Sequence, residues 1–183
     1  MRSFWTVIAL TIFISGCSTY AANRYAVSVD NVTALKKLND TQISVGQFTA
    51  TKSGITEIMC RGLGPIKTPD GETFENYIRK AFIDELKLAE LYSKNSSIML
   101  TGNLDHIDFS SNSGIWNLAV TIKSTNGKAI TASENYSYTT SFYAETACDQ
   151  TAQALMPAIQ DLISNIIRDP KFSSLIEDQR ISN

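Results

Sequence analysis

The chain of 183 residues carries 16 Lys and Arg against 18 Asp and Glu, with one His, for a formal net charge of −2. Its basic residues form no cluster interleaved with aromatic residues, so we expect no nucleic-acid partner. A chain of this length suits one domain with its own hydrophobic core rather than two.

The first 16 residues have the three parts of a secretory signal peptide. Arg2 supplies positive charge, residues 4–14 form an apolar run, and Ser15 and Gly16 are small. A permanent membrane helix is the alternative, but such a helix needs about 20 apolar residues and this run has eleven. We therefore predict that residues 1–16 are removed on export.

Cys17 follows directly, and residues 14–17 (Ile-Ser-Gly-Cys) resemble the lipobox of bacterial lipoproteins. The resemblance implies that Cys17 carries fatty acyl chains such as palmitate, on its sulfur and on the amine that cleavage frees. Two or three chains anchor a protein stably, because each buried methylene contributes about 0.8 kcal/mol. Ser18, rather than Asp, is the pattern of cargo sent to the outer membrane, which implies a lipid-anchored protein on its periplasmic face.

The three cysteines become informative once Cys17 is assigned to lipid. Cys60 and Cys148 then remain as an even pair in an oxidising compartment, which predicts a disulfide between them. Two buried free thiols are the alternative. A zinc site fits less well, because the chain has one histidine and no Cys-x-x-Cys spacing.

After the signal and a short tether, the chain predicts two strands and a loop. Apolar residues alternate with polar ones over 25–29, which predicts a short edge strand. A second strand is predicted at 41–51, where Gly46 breaks the alternation and suggests a β-bulge. Glycines, prolines and an Asp-Gly pair punctuate residues 54–71, which we interpret as a long loop carrying Cys60.

Two helices and three strands occupy the rest of the chain. Apolar side chains at helical spacing predict a helix over 73–92. Residues 98–142 alternate in three segments, with Asn-Gly at 126–127, which predicts an antiparallel meander containing a tight type I′ hairpin. A last helix is predicted at 146–168, and Pro157 inside it predicts either a kink or a later start near residue 154.

The order strand, helix, three-stranded meander, helix predicts an α+β fold in which two helices pack on one face of an antiparallel sheet. We divide the chain into a signal peptide at 1–16, a lipidated tether at 17–23 and a single α+β periplasmic domain at 24–183.

Several local features accompany this order of elements. They are the lipobox at Cys17, Ser-Thr-Asn-Gly at 124–127, the strand with Tyr136 and Tyr138, and the closing helix, which runs through Asp161 to its end at Asp169-Pro170 and is followed by Phe172, Leu175 and Ile176. This combination resembles YajG-like bacterial lipoproteins and, more distantly, the auxiliary lipoproteins of lipid-handling ABC transporters. The resemblance implies lipidation at Cys17 and supplies no catalytic motif.

Asp105, His106 and Asp108 form the one constellation that invites a catalytic or metal-binding hypothesis. In a regular strand, His106 shares a face with Asp108 and points away from Asp105. Two ligands do not make a metal site, so we interpret the group as polar residues facing solvent. No Gly-x-Ser-x-Gly elbow and no phosphate-binding loop occurs, and we expect no enzymatic activity, no cofactor and no metal.

These observations favour a non-catalytic envelope lipoprotein. It would be held to the membrane by its N-terminal lipid and act as an accessory or assembly factor that binds another periplasmic or membrane protein. The alternative is a carrier or sensor of a lipid or other apolar ligand, linked to a transport system and using a groove between sheet and helices. A hydrolase that depends on His106 is the third hypothesis.

Overall fold

The computed structural model describes residues 19–38 and 41–177. These residues form seven strands and four helices, which confirms the predicted α+β class. In chain order they are β1 (Tyr20–Ala21), α1 (Val29–Leu35), β2 (Ser44–Ala50), β3 (Glu57–Cys60), β4 (Gly64–Lys67), α2 (Phe74–Leu88), β5 (Met99–Ser110), β6 (Ile115–Ser124), β7 (Ala129–Ser137), α3 (Ala144–Arg168) and α4 (Phe172–Leu175).

The larger sheet has the strand order β2-β5-β6-β7. Its last three strands form the predicted antiparallel meander. β2 is parallel to β5, with Ser44 opposite Met99, so the prediction of a purely antiparallel sheet is wrong at this pair. The cause is α2, which returns the chain to the edge where β2 began, so that β5 starts beside it and runs in the same direction.

Two strands of a smaller sheet of order β1-β4-β3, namely β3 and β4, lie in the region predicted as a loop. β3 and β4 form an antiparallel hairpin in which Glu57 lies opposite Lys67 and Cys60 opposite Gly64. The prediction of a structureless loop over 54–71 is therefore wrong. Strands of four residues are too short for alternation to reveal, whereas their turn residues stand out in the sequence.

The hydrophobic core lies between the larger sheet and two helices on one of its faces, as predicted. α2 packs on β2 and β5, and α3 packs on β6 and β7. At the centre, the fully buried Trp116 donates a hydrogen bond from Nε1 to the carbonyl of Thr151 at 2.9 Å. The other side chains that β6 turns inward are Leu118, Val120 and Ile122.

α3 continues without interruption through Pro157, so the later start predicted near residue 154 is wrong. A proline lacks the N–H that would bind the carbonyl four residues earlier, here that of Gln153. Gln153 is exposed, so water can satisfy that carbonyl. After Arg168 the chain turns into α4, whose Phe172 and Leu175 are buried in the core.

Two glycines in the larger sheet have packing roles. The pairing of β2 with β5 shifts between Val45 and Phe48, which confirms the bulge predicted at Gly46. A Cβ at Gly102 would lie 2.6 Å from the ring of Phe48, so only glycine leaves space for that ring. The bulge and the missing side chain together bring Phe48 into the core beside Phe82.

The hairpin between β6 and β7 is one residue longer than the predicted type I′ turn. Gly127 donates its N–H to the carbonyl of Ser124, and Ser124 donates its own to Lys128. Gly127 has a φ of 85°, a left-handed conformation that glycine adopts without steric cost. Asn126 uses its Nδ2 to bind carbonyls of the C-terminal segment, including that of Leu175 at 3.1 Å, and this contact explains the wider turn.

Residues 22–28 form an irregular strap across α2 and α3, so the edge strand predicted at 25–29 is wrong. Tyr77 donates its hydroxyl to the carbonyl of Asn23, and Gln160 donates Nε2 to the carbonyl of Ala26. Side chains of the two helices thus bind the backbone groups that a sheet ladder would have used. α1 follows at Val29, one residue after its N-cap Ser28.

Glu85 is the centre of the strap's attachment. Its Oε1 accepts hydrogen bonds from the Tyr25 hydroxyl, the Ser28 backbone N–H and Asn31 Nδ2. Glu85 is completely buried. A buried carboxylate is tolerated where donors converge on it, and these three come from residues 54 to 60 positions away in the chain.

We predict that the strap makes the fold sensitive to alkaline pH. Burial and the neighbouring Glu85 carboxylate raise the pKa of Tyr25 above its usual value of 10. Above pH 10 the unfolded chain loses this proton and the folded chain keeps it, so the free energy of unfolding falls by about 1.4 kcal/mol per pH unit. Tyr25→Phe removes this contribution and, at pH 7, a hydrogen bond to a charged group worth about 1.5–3 kcal/mol.

Urea unfolding at pH 8 and pH 11.5 checks this prediction. The stability difference between wild type and Tyr25→Phe should narrow at the higher pH, because only the wild type has this tyrosine proton to lose. Tyr143→Phe, at an exposed tyrosine, is the matched control and should keep the wild-type pH slope. A difference that stays constant over this range would contradict the linkage.

Candidate functional site

Cys17, the predicted lipidated residue, lies outside the described residues, as do residues 1–16. The first element, β1, begins at Tyr20, three residues further along the chain. The segment 17–23, which the sequence predicts to be a tether, therefore contains a strand at Tyr20 and Ala21.

β1 shows the direction from which the chain enters the fold. It pairs in parallel with β4, with Tyr20 opposite Ile66 and Ala21 opposite Lys67. Going backwards from Tyr20 therefore leads toward the start of β4, next to the hairpin tip at 61–63. We call β1, this tip and residues 141–143 the proximal end, because the described part of the chain enters the fold there.

The predicted disulfide between Cys60 and Cys148 is present at the proximal end. It joins the last residue of β3 to the second turn of α3, with the two Cα atoms 5.9 Å apart. Both cysteines are completely buried. The bond thus ties the smaller sheet, which carries β1, to the helix that covers β6 and β7.

Arg61 makes a second cross-link at the proximal end, and the sequence carried no signal for it. Its φ of 48° lies in the left-handed region. Its guanidinium donates to Ser111, at Oγ (3.0 Å) and at the carbonyl (2.8 Å), and to the carbonyl of Phe142 (3.1 Å). One side chain therefore joins the hairpin tip, the β5–β6 turn and the segment before α3.

Large apolar side chains are exposed at the proximal end. Phe142 is 96% exposed and Tyr143 is 76% exposed, and their rings meet edge to face with centroids 6.3 Å apart. Met59 and Leu63, on the β3–β4 hairpin, are also exposed. The sequence analysis placed Phe142 at the end of a long strand, but β7 ends at Ser137 and the chain leaves the sheet there.

Asp105 and His106 lie on the same outward face of the larger sheet, so the expectation of opposite faces is wrong. The pairing of β5 with β6 shifts between Leu104 and His106, and this bulge resets the alternation. Asp108 shares the outward face of His106, as predicted. Within the described residues, His106 forms no hydrogen bond to a serine or a carboxylate.

A chain of hydrogen bonds crosses all four strands on this outward face. Asn103 accepts from Thr49 at 2.9 Å and donates to Asp105 at 2.7 Å. Thr121 donates to the other oxygen of Asp105 at 2.7 Å. Because Thr121 has a single hydroxyl hydrogen, Thr131 must donate in the 2.8 Å contact between them. The outward face is therefore polar, internally bonded and pre-organised.

Glu75 is a second buried carboxylate that the sequence analysis did not single out. It lies in the first turn of α2, where the helix dipole favours negative charge, and only 8% of it is exposed. Its Oε2 has no hydrogen-bond partner among the described residues. It lines a small cleft together with Lys52, Asp105 and His106.

The described part of the chain brings no three His, Cys, Asp or Glu side chains together in a way that could hold a metal ion. This finding covers residues 19–38 and 41–177 and therefore includes the cleft at Glu75. None of the helices in these ranges is long and apolar enough to span a membrane.

No family model matches the chain, and no curated relative matches it. Several solved structures are similar, including the following two. A protein from Xanthomonas campestris, described by the family model DUF330, has 9% sequence identity over 82% of this chain and 95% of its own, with a TM-score of 0.52. A candidate lipoprotein from Caulobacter crescentus has 13% identity over 80% of this chain and 94% of its own, with a TM-score of 0.33.

At 9% identity, the first similarity shows a shared fold and nothing about activity. The second, with a TM-score of 0.33, is too loose to add to it. The α+β arrangement therefore occurs in another bacterial protein, while the resemblance to YajG-like lipoproteins stays a prediction from the sequence.

We predict that the disulfide is a major source of stability. It closes a loop with a sequence separation of 88, for which the chain-entropy model gives an upper value of about 4–5 kcal/mol. Replacing Cys60 and Cys148 together by Ser should lower the urea midpoint, and reductant should lower that of the wild type similarly. Reductant should leave the double variant unchanged. A wild-type urea midpoint that is the same with and without reductant would contradict the prediction.

Proposed function

We propose that this protein is a lipid-anchored, non-catalytic lipoprotein of the bacterial envelope, acting as an accessory or assembly factor that binds another periplasmic or membrane protein. Residues 1–16 direct export, and acylated Cys17 holds the domain at the periplasmic face of the outer membrane. The observation that carries the proposal is that β1 pairs with β4 from Tyr20 onwards, because Tyr20 follows the proposed anchor Cys17 by only three residues.

The outward face of the larger sheet supports a role in protein binding. Helices cover the other face of the sheet, whereas no described element packs on this one. Its hydrogen-bonded side chains, from Thr49 through Asp105 to Thr131, are already ordered, so a partner would not have to immobilise them. A flat, polar and pre-organised surface suits a non-obligate interface.

The two edges of the sheet are less open to a partner. On β2, Arg79 of α2 donates to the carbonyls of Gly46 and Val45. On β7, Asn165 of α3 donates to the carbonyl of Ser133 at 3.0 Å. Helix side chains thus occupy backbone acceptors that strand addition would use. We therefore place the partner on the outward face rather than at an edge.

The filled interior supports protein binding over ligand carriage. A carrier of a lipid would hold its ligand in an apolar cavity of several hundred Å³ between sheet and helices. Trp116, Phe82 and Leu155 occupy this space and are buried almost completely. The carrier hypothesis consequently has no support from the described residues.

The surroundings of His106 support a non-catalytic role. A hydrolytic triad needs a carboxylate that orients the histidine and a nucleophile within hydrogen-bond reach. Both oxygens of Asp105 are taken by Asn103 and Thr121, and His106 is exposed to solvent. We therefore expect His106→Ala to leave the cellular phenotype unchanged.

The anchoring part of the proposal predicts the fate of Cys17. The mature wild-type chain should begin at Cys17, carry acyl chains by intact mass, and sediment with outer-membrane vesicles. Cys17→Ala should abolish acylation and leave the precursor uncleaved at this site, while Ser18→Asp should keep acylation and move the protein to the inner membrane. Recovery of an unacylated wild-type chain would refute the anchor.

The partner-binding part predicts a position-dependent crosslink in cells. A photo-crosslinking amino acid at Thr131 or Asn135, on the outward face of β7, should yield one reproducible product. Lys87 on α2 is the matched control, since it is exposed on the opposite side of the sheet, and it should yield none. Equal products from both faces, or none from either, would contradict binding at the outward face.

A further inference from the structure

We propose that the proximal end of the domain rests on the membrane surface, with Phe142 and Tyr143 inserted among neutral phospholipid headgroups. The inference rests on the proposed acylation of Cys17 and adds a second, non-covalent contact to it. The two aromatic side chains are exposed and do not pack in the core, and a lipid surface would bury them.

Only a short length of chain separates the proposed acyl chains on Cys17 from β1. Cys17 precedes Tyr20 by three residues, and each residue of a fully extended chain spans at most about 3.3–3.6 Å. Tyr20 therefore lies within about 11 Å of the acylated residue. A domain held this closely cannot stand far from the bilayer.

The strap and α2 give the direction in which the domain extends from the membrane. Continuing along the chain from β1, Asn23 is bound by Tyr77 and Ser28 by Glu85, so the strap runs along α2 toward its C-terminus. The C-terminus of α2 leads into the start of β5, where Met99 accepts the N–H of Thr125 in the β6–β7 turn. This turn and the end of α2 form the distal end, which points away from the membrane.

The proximal end carries exposed aromatic and aliphatic side chains. Phe142 is almost fully exposed, Tyr143 is about three-quarters exposed, and Leu63 on the neighbouring hairpin tip is about half exposed. Arg61 links these two segments through the carbonyl of Phe142. Aromatic side chains are enriched at the level of lipid headgroups, where a ring leaves water while a polar group stays hydrated.

The proximal end is also held in place, so the rings are presented without much loss of freedom. The Cys60–Cys148 disulfide secures the hairpin to α3, and Arg61 secures it to Ser111 and Phe142. Pre-organisation of this kind reduces the entropic cost of binding a surface.

The charge of this region selects the kind of lipid. Glu145 and Asp149 are exposed in the first turns of α3, directly after the aromatic pair. The guanidinium of Arg61 is the neighbouring positive charge, and it is already occupied by carbonyls and a hydroxyl. An anionic surface would repel the two carboxylates, so we expect the contact to favour zwitterionic lipid.

Tryptophan quenching on vesicles tests the contact. Phe142→Trp and Leu88→Trp each add one tryptophan to the buried Trp116, the first at the proximal end and the second, on an exposed residue, at the end of α2. The full mature acylated chain is placed in phosphatidylcholine vesicles containing the same lipid brominated close to its headgroup. Bromine should quench the fluorescence of the introduced tryptophan at least about twofold more strongly in Phe142→Trp than in Leu88→Trp.

The outcomes separate this inference from the proposed function. Intact mass first confirms the acyl chains; an unacylated chain would overturn the anchor and this contact together. An acylated Phe142→Trp chain that is quenched no more than Leu88→Trp would overturn the membrane contact alone, and would leave the aromatic pair to a protein partner. Stronger quenching that falls when phosphatidylglycerol replaces half of the lipid would support the contact and its preference for neutral headgroups.

Discussion

The buried carboxylate of Glu85 determines the path of the N-terminal strap, and much of the molecule depends on that path. Three donors from the strap and α1 converge on it; the Tyr25 hydroxyl and the Ser28 N–H donate to it alone, whereas Asn31 Nδ2 also donates to the carbonyl of Gln160 at 2.9 Å. Removing the carboxylate would leave buried donors unsatisfied, which is costly in a protein interior. Glu85 lies near the C-terminus of α2, so it fixes where the strap ends, whereas the pairing of β1 with β4 fixes where the strap begins.

The proximal end depends on two further links that act over long stretches of chain. The Cys60–Cys148 disulfide and the hydrogen bonds of Arg61 hold the β3–β4 hairpin against the start of α3. The strands of the larger sheet run lengthwise between the proximal and distal ends. If the proximal end faces the membrane, the strands point away from the bilayer, and the outward face of the sheet does not contact lipid and stays open to a partner.

Prediction succeeded where a pattern repeats within one element. The helical spacing from Phe74 to Leu86 and the alternation from Trp116 to Ile122 each identify an element that buries one face. Prediction failed where side chains from elsewhere replace the local pattern: the alternation at Tyr25 and Val27 is that of a strand, but Tyr77, Glu85 and Gln160 bind this segment as a strap. The bulge before His106 also reversed an expected orientation, because one extra residue shifts every later side chain.

By itself, the sequence determined the elements with a long hydrophobic repeat and, through its cysteine count, the pairing of Cys60 with Cys148, since both are properties of residue type and spacing. The tertiary structure alone decided the grouping of Arg61, Phe142 and Tyr143, the polar network through Asp105, and the pairing of β1 with β4. These features depend on contacts between residues that lie up to 81 positions apart, as between Arg61 and Phe142. No local pattern encodes such a contact, because it exists only after the core has brought the two segments together.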